Sequence, residues 1–405
     1  IPLEGHRVPR RDGRLLTMRW RLTYLASQRG RRGFCSVVTQ QIQRFCEKPQ
    51  RGITLAEMVS VGQASDMQSA LTENAQMLHK ELPVRLARRI NELQKMPYGL
   101  SEMAPVQKVR GWYVRSFNDL ISMREPQTME EEQAFTACLE KILKRHSAVV
   151  PTMAQGIMML KEQMGDDAVR KCPFLQDFLD RFYLSRIGVR MLLSQHVALH
   201  EPAEGFIGIL GESVCPGDEA EAAVAHATHV CEARYGCCPT VEIRGDVEER
   251  IPYVPGHLHH MLHELLKNAM RAVVETHAPH LRPNGGHSAE GVSDSLPPID
   301  ITIAAGQSDF HIRIADQGGG IPRSQIANIW NYMYTTAERP KEQDLEIKGG
   351  IRNAPMAGFG YGLPLSKLYA RYFGGDIDIV SMDGYGTHAY LYLSRIGNTK
   401  EPLPQ

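Results

Sequence analysis

The sequence predicts an α + α/β chain, a helical bundle followed by an α/β sandwich, and three observations carry that prediction. Long stretches with helical periodicity and short breaks fill residues 35–200, the pattern of a bundle. From about 205 to 396 short β-branched or alternating runs are interspersed with helices, the pattern of a mixed sandwich. Within this second region a single amphipathic helix, His257–Glu275, precedes a succession of Gly-rich turns that each join a strand or a helix.

In chain order, Ile1–Phe34 holds nine Arg against only Glu4 and Asp12. This is transit-peptide composition, and Arg32-Gly33-Phe34 before Cys35 has the look of a matrix-processing site. The chain does not begin with Met, so residues 1–17 are open to lying upstream of a start at Met18. A basic arm that binds an acidic partner is the alternative. Helices are expected over Thr54–Val61, Met67–Leu93, Val106–Ser122, Met129–His146, Val150–Met164 and Pro173–Leu199, punctuated by Pro, Gly and polar breaks. After a change of pattern at His200–Phe206, Pro255-Gly256 reads as a break before His257–Glu275. Pro279–Pro298, rich in Gly, Ser, His and Pro, reads as a surface insertion. Ile299–Ala305, Phe310–Ala315 and His388–Leu393 read as strands, and Leu365–Tyr372 as a helix.

Composition narrows the function classes. At 405 residues the chain has room for two or three domains and an ample core. Lys plus Arg equal Asp plus Glu at 46 each, which gives no electrostatic argument for nucleic acid. No apolar run is long enough for a membrane span. The eight cysteines contain no C-x-x-C pair, so reduced thiols are expected and no structural zinc on cysteine. Cys231, Cys237 and Cys238 read as ordinary helix-end and loop residues.

Along His257–Glu275, His260, Glu264 and Asn268 recur at i, i+4 and i+8. Each step of four turns the helix face by only about 40°, so a carboxylate, a residue able to orient it and an amide oxygen line one stripe. Leu262, Leu265, Leu266 and Met270 are left to pack the helix. The second strand runs into Asp316-Gln317-Gly318-Gly319-Gly320, where consecutive glycines let backbone approach a flat or anionic ligand. Asp316 is placed to accept a hydrogen bond from an exocyclic amine. Gly358-Phe359-Gly360-Tyr361-Gly362-Leu363-Pro364 opens a helix, where free N–H groups form a phosphate cradle. Gly384-Tyr385-Gly386-Thr387 turns into the last strand. One such loop is an ordinary turn; the ordered set is specific.

That order resembles the GHKL (Bergerat) ATPases, shared by DNA gyrase, the ninety-kilodalton heat-shock chaperones, histidine kinases and MutL. The resemblance implies that Asn268 binds Mg²⁺, that Asp316 with Gly318 and Gly320 reads adenine, and that a lid across roughly 338–357 closes over the phosphates. Within that class the chain resembles the mitochondrial pyruvate dehydrogenase kinases over Cys35–Ile396. The resemblance rests on Glu81–Ala87, Trp112–Val114, Arg145–Gly156, Phe178–Ile187, Asn331–Ala337 and Ala357–Pro364.

The resemblance implies an ATP-dependent protein-serine kinase of the mitochondrial matrix. It would phosphorylate the decarboxylase α subunit of the pyruvate dehydrogenase complex, inactivate it, and so regulate pyruvate entry into acetyl-CoA. ATP and Mg²⁺ are the implied cofactors, with K⁺ a further candidate. Glu264 is the candidate general base and His260 its orienting partner. The run Glu264, Leu265, Leu266, Lys267, Asn268, Ala269, Met270 and Arg271 is carried over as nucleotide-binding, with Lys267 and Arg271 neutralising phosphate; a surface lysine is an equal alternative for Lys267. Thr335, Thr336, Gly358, Phe359, Gly360, Tyr361, Gly362, Leu363 and Thr387 complete the nucleotide set, Thr387 facing Asp316 or adenine. Strand-end hydroxyls remain the alternative for the two threonines. His146 and Arg186 are assigned to a pocket for pyruvate or dichloroacetate, where a cationic Arg beside a His suits a small carboxylate.

His263 stands where the pyruvate branch has Phe, about 100° around the helix from Glu264. With His257, His259 and His260 it forms a four-histidine run that a transition metal could use. A homodimer through the nucleotide domains is implied. Residues 397–405 read as a shortened tail, since the family's tail runs longer, crosses to the partner subunit and helps dock a lipoyl domain; lipoyl docking is left open. Two other functions remain: a branched-chain ketoacid dehydrogenase kinase with the same mechanism, and a nucleotide-gated binding module without transferase activity.

Overall fold

Side-chain caps set where several helices of the first domain begin. Thr54 and Glu57 form a reciprocal capping box, Asp66 accepts from the N–H groups of Gln68 and Ser69, and Thr128 accepts from that of Glu131. The computed structural model describes residues 36–165, 172–281, 291–336, 360–395 and 400–404. In its helical domain α1 (Ser36–Cys46), α2 (Leu55–Gly62), α3 (Met67–Gln94), α4 (Ala104–Ser122), α5 (Met129–Arg145), α6 (Val149–Met164) and α7 (Pro173–Ala198) pack together. α1 has no counterpart among the helices expected from the sequence. Phe117, Phe135, Phe178 and Phe182 lie at the centre of this bundle. Among the described residues no helix is long and apolar enough to cross a membrane.

The second domain begins with β1 (Phe206–Ile207) and β2 (Leu210–Val214), which form an antiparallel sheet with β4 (Ile251–Tyr253). The main sheet has the order β3-β5-β6-β8-β7, formed by β3 (Val241–Gly245), β5 (Ile299–Ala305), β6 (Asp309–Asp316), β7 (Asp376–Met382) and β8 (Gly386–Ser394). Only the β3–β5 pair is parallel; the rest are antiparallel. α8 (Pro216–Tyr235), α9 (Pro255–His277) and α11 (Gly362–Tyr372) pack on this sheet, with the short α10 (Arg323–Ile326) beside them. Strand alternation explains the layer: Ile299, Ile301, Ile303, Phe310, Ile312, Leu391 and Leu393 are all buried. The α + α/β class read from sequence is therefore the observed one.

Pro255 is the first residue of α9 and does not break it, because a proline at the first helical position lacks an N–H that would have had no partner there. Ile1–Phe34, residues 282–290 of the 279–298 insertion, the 338–357 lid, Gly358 and Phe359 lie outside the described residues. Residues 400–404, expected as a tail, are built into the helical domain: Lys400 pairs with Thr54, and the Glu401 N–H donates to the Ile53 carbonyl.

The two domains meet along α7 and α11. Tyr183 of α7 packs between Tyr332 and Tyr361, at centroid distances of 5.4 and 5.7 Å. The Tyr332 hydroxyl donates to Asp180 at 2.7 Å, and its backbone N–H to Gln176 at 2.8 Å.

Candidate nucleotide site

β6 ends at Asp316, in register with Thr387 near the start of β8, so both stand at the same end of two adjoining strands in the middle of the main sheet. Asp316 is 7% exposed and accepts the Gly318 N–H at 2.8 Å. Burial pushes its carboxyl up to about 6, against the hydrogen bonds from the Gly318 and Thr387 backbone. The loop after it lies flat on α9: a Cβ on Gly318 would strike Ala272 and the backbone N of Val273, and Thr276 donates to the Gly318 carbonyl at 2.9 Å. That contact explains why glycine stands at 318.

The carboxylate of Glu264 faces the start of α11. Its Oε1 is 2.6 Å from Lys267 Nζ, while its Oε2 lies so close to Gly362 that a Cβ there would collide with it. Burial pushes the Glu264 carboxyl up, but the Lys267 ammonium and then His260 more than offset this, and it sits below the usual carboxylate range. The start of α11 carries no side-chain cap, so its N-terminal dipole faces the same space.

Glu264, Leu265, Asn268, Ala269 and Arg271 of α9 line an open cavity of about 390 Å³ together with Asp316, Gly318, Gly320, Thr335, Thr336, Gly360, Gly362, Leu363 and Thr387. Polar groups gather near Glu264, Asn268 and Arg271, whereas Leu265, Ile314, Ile379 and Ala389 supply apolar wall. Arg271 donates to Thr336 Oγ1 at 3.1 Å. The Thr387 hydroxyl is paired with Ser381 at 2.9 Å, and the Thr387 backbone serves Asp316.

Several sequence-predicted residues lie elsewhere. Leu266 and Met270 are fully buried on the far side of α9, where helical periodicity turns them into the core. Lys267 is neither a surface lysine nor on the cavity wall; it is 3% exposed and bound to Glu264. Tyr361 is buried against Tyr183 and Tyr332, so its role is to join the domains. His260 packs edge-on to Tyr369 at 5.1 Å, and neither ring nitrogen has a hydrogen-bond partner among the described residues. Its ring is therefore not hydrogen-bonded to Glu264, although its charge would act on it.

The four-histidine run splits between two faces. His257 and His260 face Tyr369, whereas His263 stacks on His226 of α8 at 4.0 Å and His259 contacts His226 at 3.3 Å. His146 and Arg186 do come together in the bundle: the Arg186 guanidinium donates to the His146 carbonyl at 3.4 Å. The His146 ring stacks on Tyr113, and burial followed by Arg186 pushes its pKa down to about 3. Sequence reasoning missed Ala272, Glu275, Thr276, Gln325, Ile329 and Tyr334 on the cavity wall. The first three extend the α9 stripe at Asn268 + 4, + 7 and + 8, a continuation that the same periodicity would have exposed.

A helix carrying Glu264 and Asn268, a strand-end Asp and glycine loops folded onto both define the class known as histidine kinase-, DNA gyrase B- and HSP90-like ATPases; residues 253–396 match the family model of that description. Residues 52–211 match a second family model, described as mitochondrial branched-chain alpha-ketoacid dehydrogenase kinase. The chain is 43% identical to an Arabidopsis thaliana protein named [pyruvate dehydrogenase (acetyl-transferring)] kinase, mitochondrial, over 92% of this chain and 98% of that one. The Drosophila melanogaster protein of the same name is 42% identical over 80% and 78%. The human isozyme 4 is 37% identical over 91% and 87%. The chain belongs to the pyruvate dehydrogenase kinase family.

Proposed function

We propose that this protein transfers the γ-phosphoryl group of ATP to a serine of the decarboxylase α subunit of the pyruvate dehydrogenase complex, in the mitochondrial matrix, and so switches that complex off. The observation that carries the reading is the Glu264 carboxylate, ionised at neutral pH, with one oxygen held by Lys267 and the other at the cavity's edge. A seryl hydroxyl is a weak nucleophile, and this second oxygen accepts its proton as the phosphoryl group moves. Lys267 keeps the carboxylate charged and fixes its direction. Asp316 accepts from the adenine amine, and Leu265, Ile314 and Ala389 enclose the ring. Arg271, held by Thr336, and the start of α11 take the phosphates.

The donor set fits Mg²⁺: Asn268 stands between Glu264 and Arg271 on the cavity wall and offers an amide oxygen, the hard donor that this cation takes. When bound, Mg²⁺ would neutralise phosphate charge, with Asn268 as its protein ligand. His146 and Arg186 remain our candidates for a small carboxylate effector, and a homodimer through the nucleotide domains is part of the same reading. The match of residues 52–211 to a branched-chain kinase description keeps that complex as a second substrate.

The test is phosphate transfer from labelled Mg-ATP to the pyruvate and branched-chain decarboxylases side by side. Transfer to the pyruvate enzyme should fall by roughly 10²–10⁴ in Glu264→Gln while ATP binding persists. Transfer to the branched-chain enzyme alone would replace the substrate; equal transfer by Glu264→Gln would remove Glu264 as the base.

A further inference from the structure

A second cluster of ligating side chains lies far from the nucleotide cavity, where α5 meets the end of α7. Glu132 is 3% exposed and His196 fully buried, and His200, in the turn just after α7, is half-buried. His196 Nε2 is 2.9 Å from Glu132 Oε1, and His200 Nε2 is 3.0 and 3.1 Å from the two Glu132 oxygens. Among the described residues this is the group of three His, Cys, Asp or Glu whose ligand atoms converge closely enough for one metal ion.

Proton accounting shows what the cluster needs. His200 Nδ1 is 3.0 Å from the His196 carbonyl, an acceptor only, so Nδ1 carries the hydrogen. In the neutral ring Nε2 is then a bare lone pair, aimed at two carboxylate oxygens. Such an arrangement requires a cation between ring and carboxylate, either a proton or a metal. His196 is free to supply a second lone pair: its Nδ1 is 2.9 Å from the Asn74 amide, which accepts or donates according to which way it is turned. A ring nitrogen held by a carbonyl or amide while the other faces the ion is how protein zinc sites orient their histidines. Ligands about 2.0–2.1 Å from a tetrahedral zinc lie about 3.4 Å apart. The observed separations of 2.9 and 3.0 Å would open by only a few tenths of an ångström. Thr136 Oγ1, 2.9 Å from Glu132 and 3.0 Å from His196, stands beside the fourth position. The half-exposed His200 side gives a route in.

We infer that Glu132, His196 and His200 bind one divalent transition-metal cation of zinc's chemistry, clasping α5 to the end of α7. The clasp would sit where the chain passes into the nucleotide domain: the adjacent Gln195 holds the Ile207 carbonyl and the Ile209 N–H, both at 3.0 Å.

The full chain, stripped with a chelator and free of nucleotide, would be dialysed against Zn²⁺ or Co²⁺ alone and its bound metal measured. About one equivalent is expected, with a tetrahedral Co²⁺ absorption spectrum and a higher thermal midpoint on adding Zn²⁺. Binding should weaken at least about tenfold in His200→Asn and in Glu132→Gln. His200→Asn is the decisive variant, because that position is half-exposed and the Glu132–His196–Thr136 contacts stay in place. If no equivalent is retained, or if both variants retain it undiminished, the inference fails; the cluster is then an imidazolium–carboxylate pair, or the cation sits on other groups.

Discussion

The two ends of α11 each meet a glutamate, and they use it in opposite ways. At the C-terminal end Tyr372 donates to Glu401, which also receives Arg85 and the Ile53 N–H, and Glu401 is 3% exposed at its side chain. At the N-terminal end Gly362 abuts Glu264, which is 16% exposed and has Lys267 as its ion-pair partner. Arg85 is itself held by Glu81 at 2.8 Å and donates to the Arg51 carbonyl at 2.8 Å. One carboxylate has its acceptor capacity filled from three directions and locks the domains together. The other keeps an oxygen at the edge of a cavity. Saturation of hydrogen bonds separates a structural carboxylate from one available for proton transfer.

The comparison breaks most directly at its saturated end. Glu401→Ala leaves the Arg85 guanidinium buried beside Glu81 alone and Tyr372 without its acceptor. Removing one partner of a buried pair costs about 3–5 kcal/mol, so the thermal midpoint should drop sharply in calorimetry. A midpoint shift of about a degree or less would show that the network does not hold the domains.

At the open end the sharper probe is Gly362→Ala, which places a methyl on Glu264 Oε2 and must displace the carboxylate. Misplacement of a reacting group by about 1 Å lowers transfer on the order of 10²-fold. Gly360 and Gly362 also border the cavity, so ATP affinity should be measured in parallel. A loss in transfer much larger than the loss in ATP binding would keep Glu264 as the base; equal losses would assign Gly362 to phosphate binding alone.

The same contrast explains what was legible in the sequence. Helical period placed Glu264 and Asn268 on one stripe and the strand pattern placed Asp316 at a strand end, because both signals are local. The fold class was readable for the same reason. Lys267 misled because periodicity gives an angle around the helix and not a partner: three residues from Glu264, it bends back to it and is buried. Tyr361 was grouped with the glycines around it, although its partner Tyr183 comes from another domain. Glu401 pairs with Arg85 across 316 residues, and Glu132 with His196 across 64. No window along the chain shows such pairings, since each depends on how segments distant in sequence pack together.

Asp316 stands between the two kinds of carboxylate, and its pH response is the finest test of the contrast. It is buried like Glu401 but, among the described residues, receives only backbone hydrogen bonds and no cation, so burial dominates and its pKa is pushed up to about 6. A carboxyl whose folded pKa lies above its unfolded one holds its proton more tightly when folded. In the free protein this group therefore adds stability as pH falls through about 6, and withdraws it as pH rises through that value. ATP binding runs the other way, because the ionised carboxylate is the stronger acceptor for the adenine amine. The dissociation constant for ATP should rise as pH falls through about 6, by roughly tenfold in all, and level off above about 7. Asp316→Asn should bind ATP roughly tenfold more weakly at about pH 7.5, since a charged acceptor is lost, and its affinity should be flat between about pH 5 and 7.5. Titrating both proteins with ATP across that range decides the matter. A wild-type profile as flat as that of Asp316→Asn would show that Asp316 does not read the adenine amine.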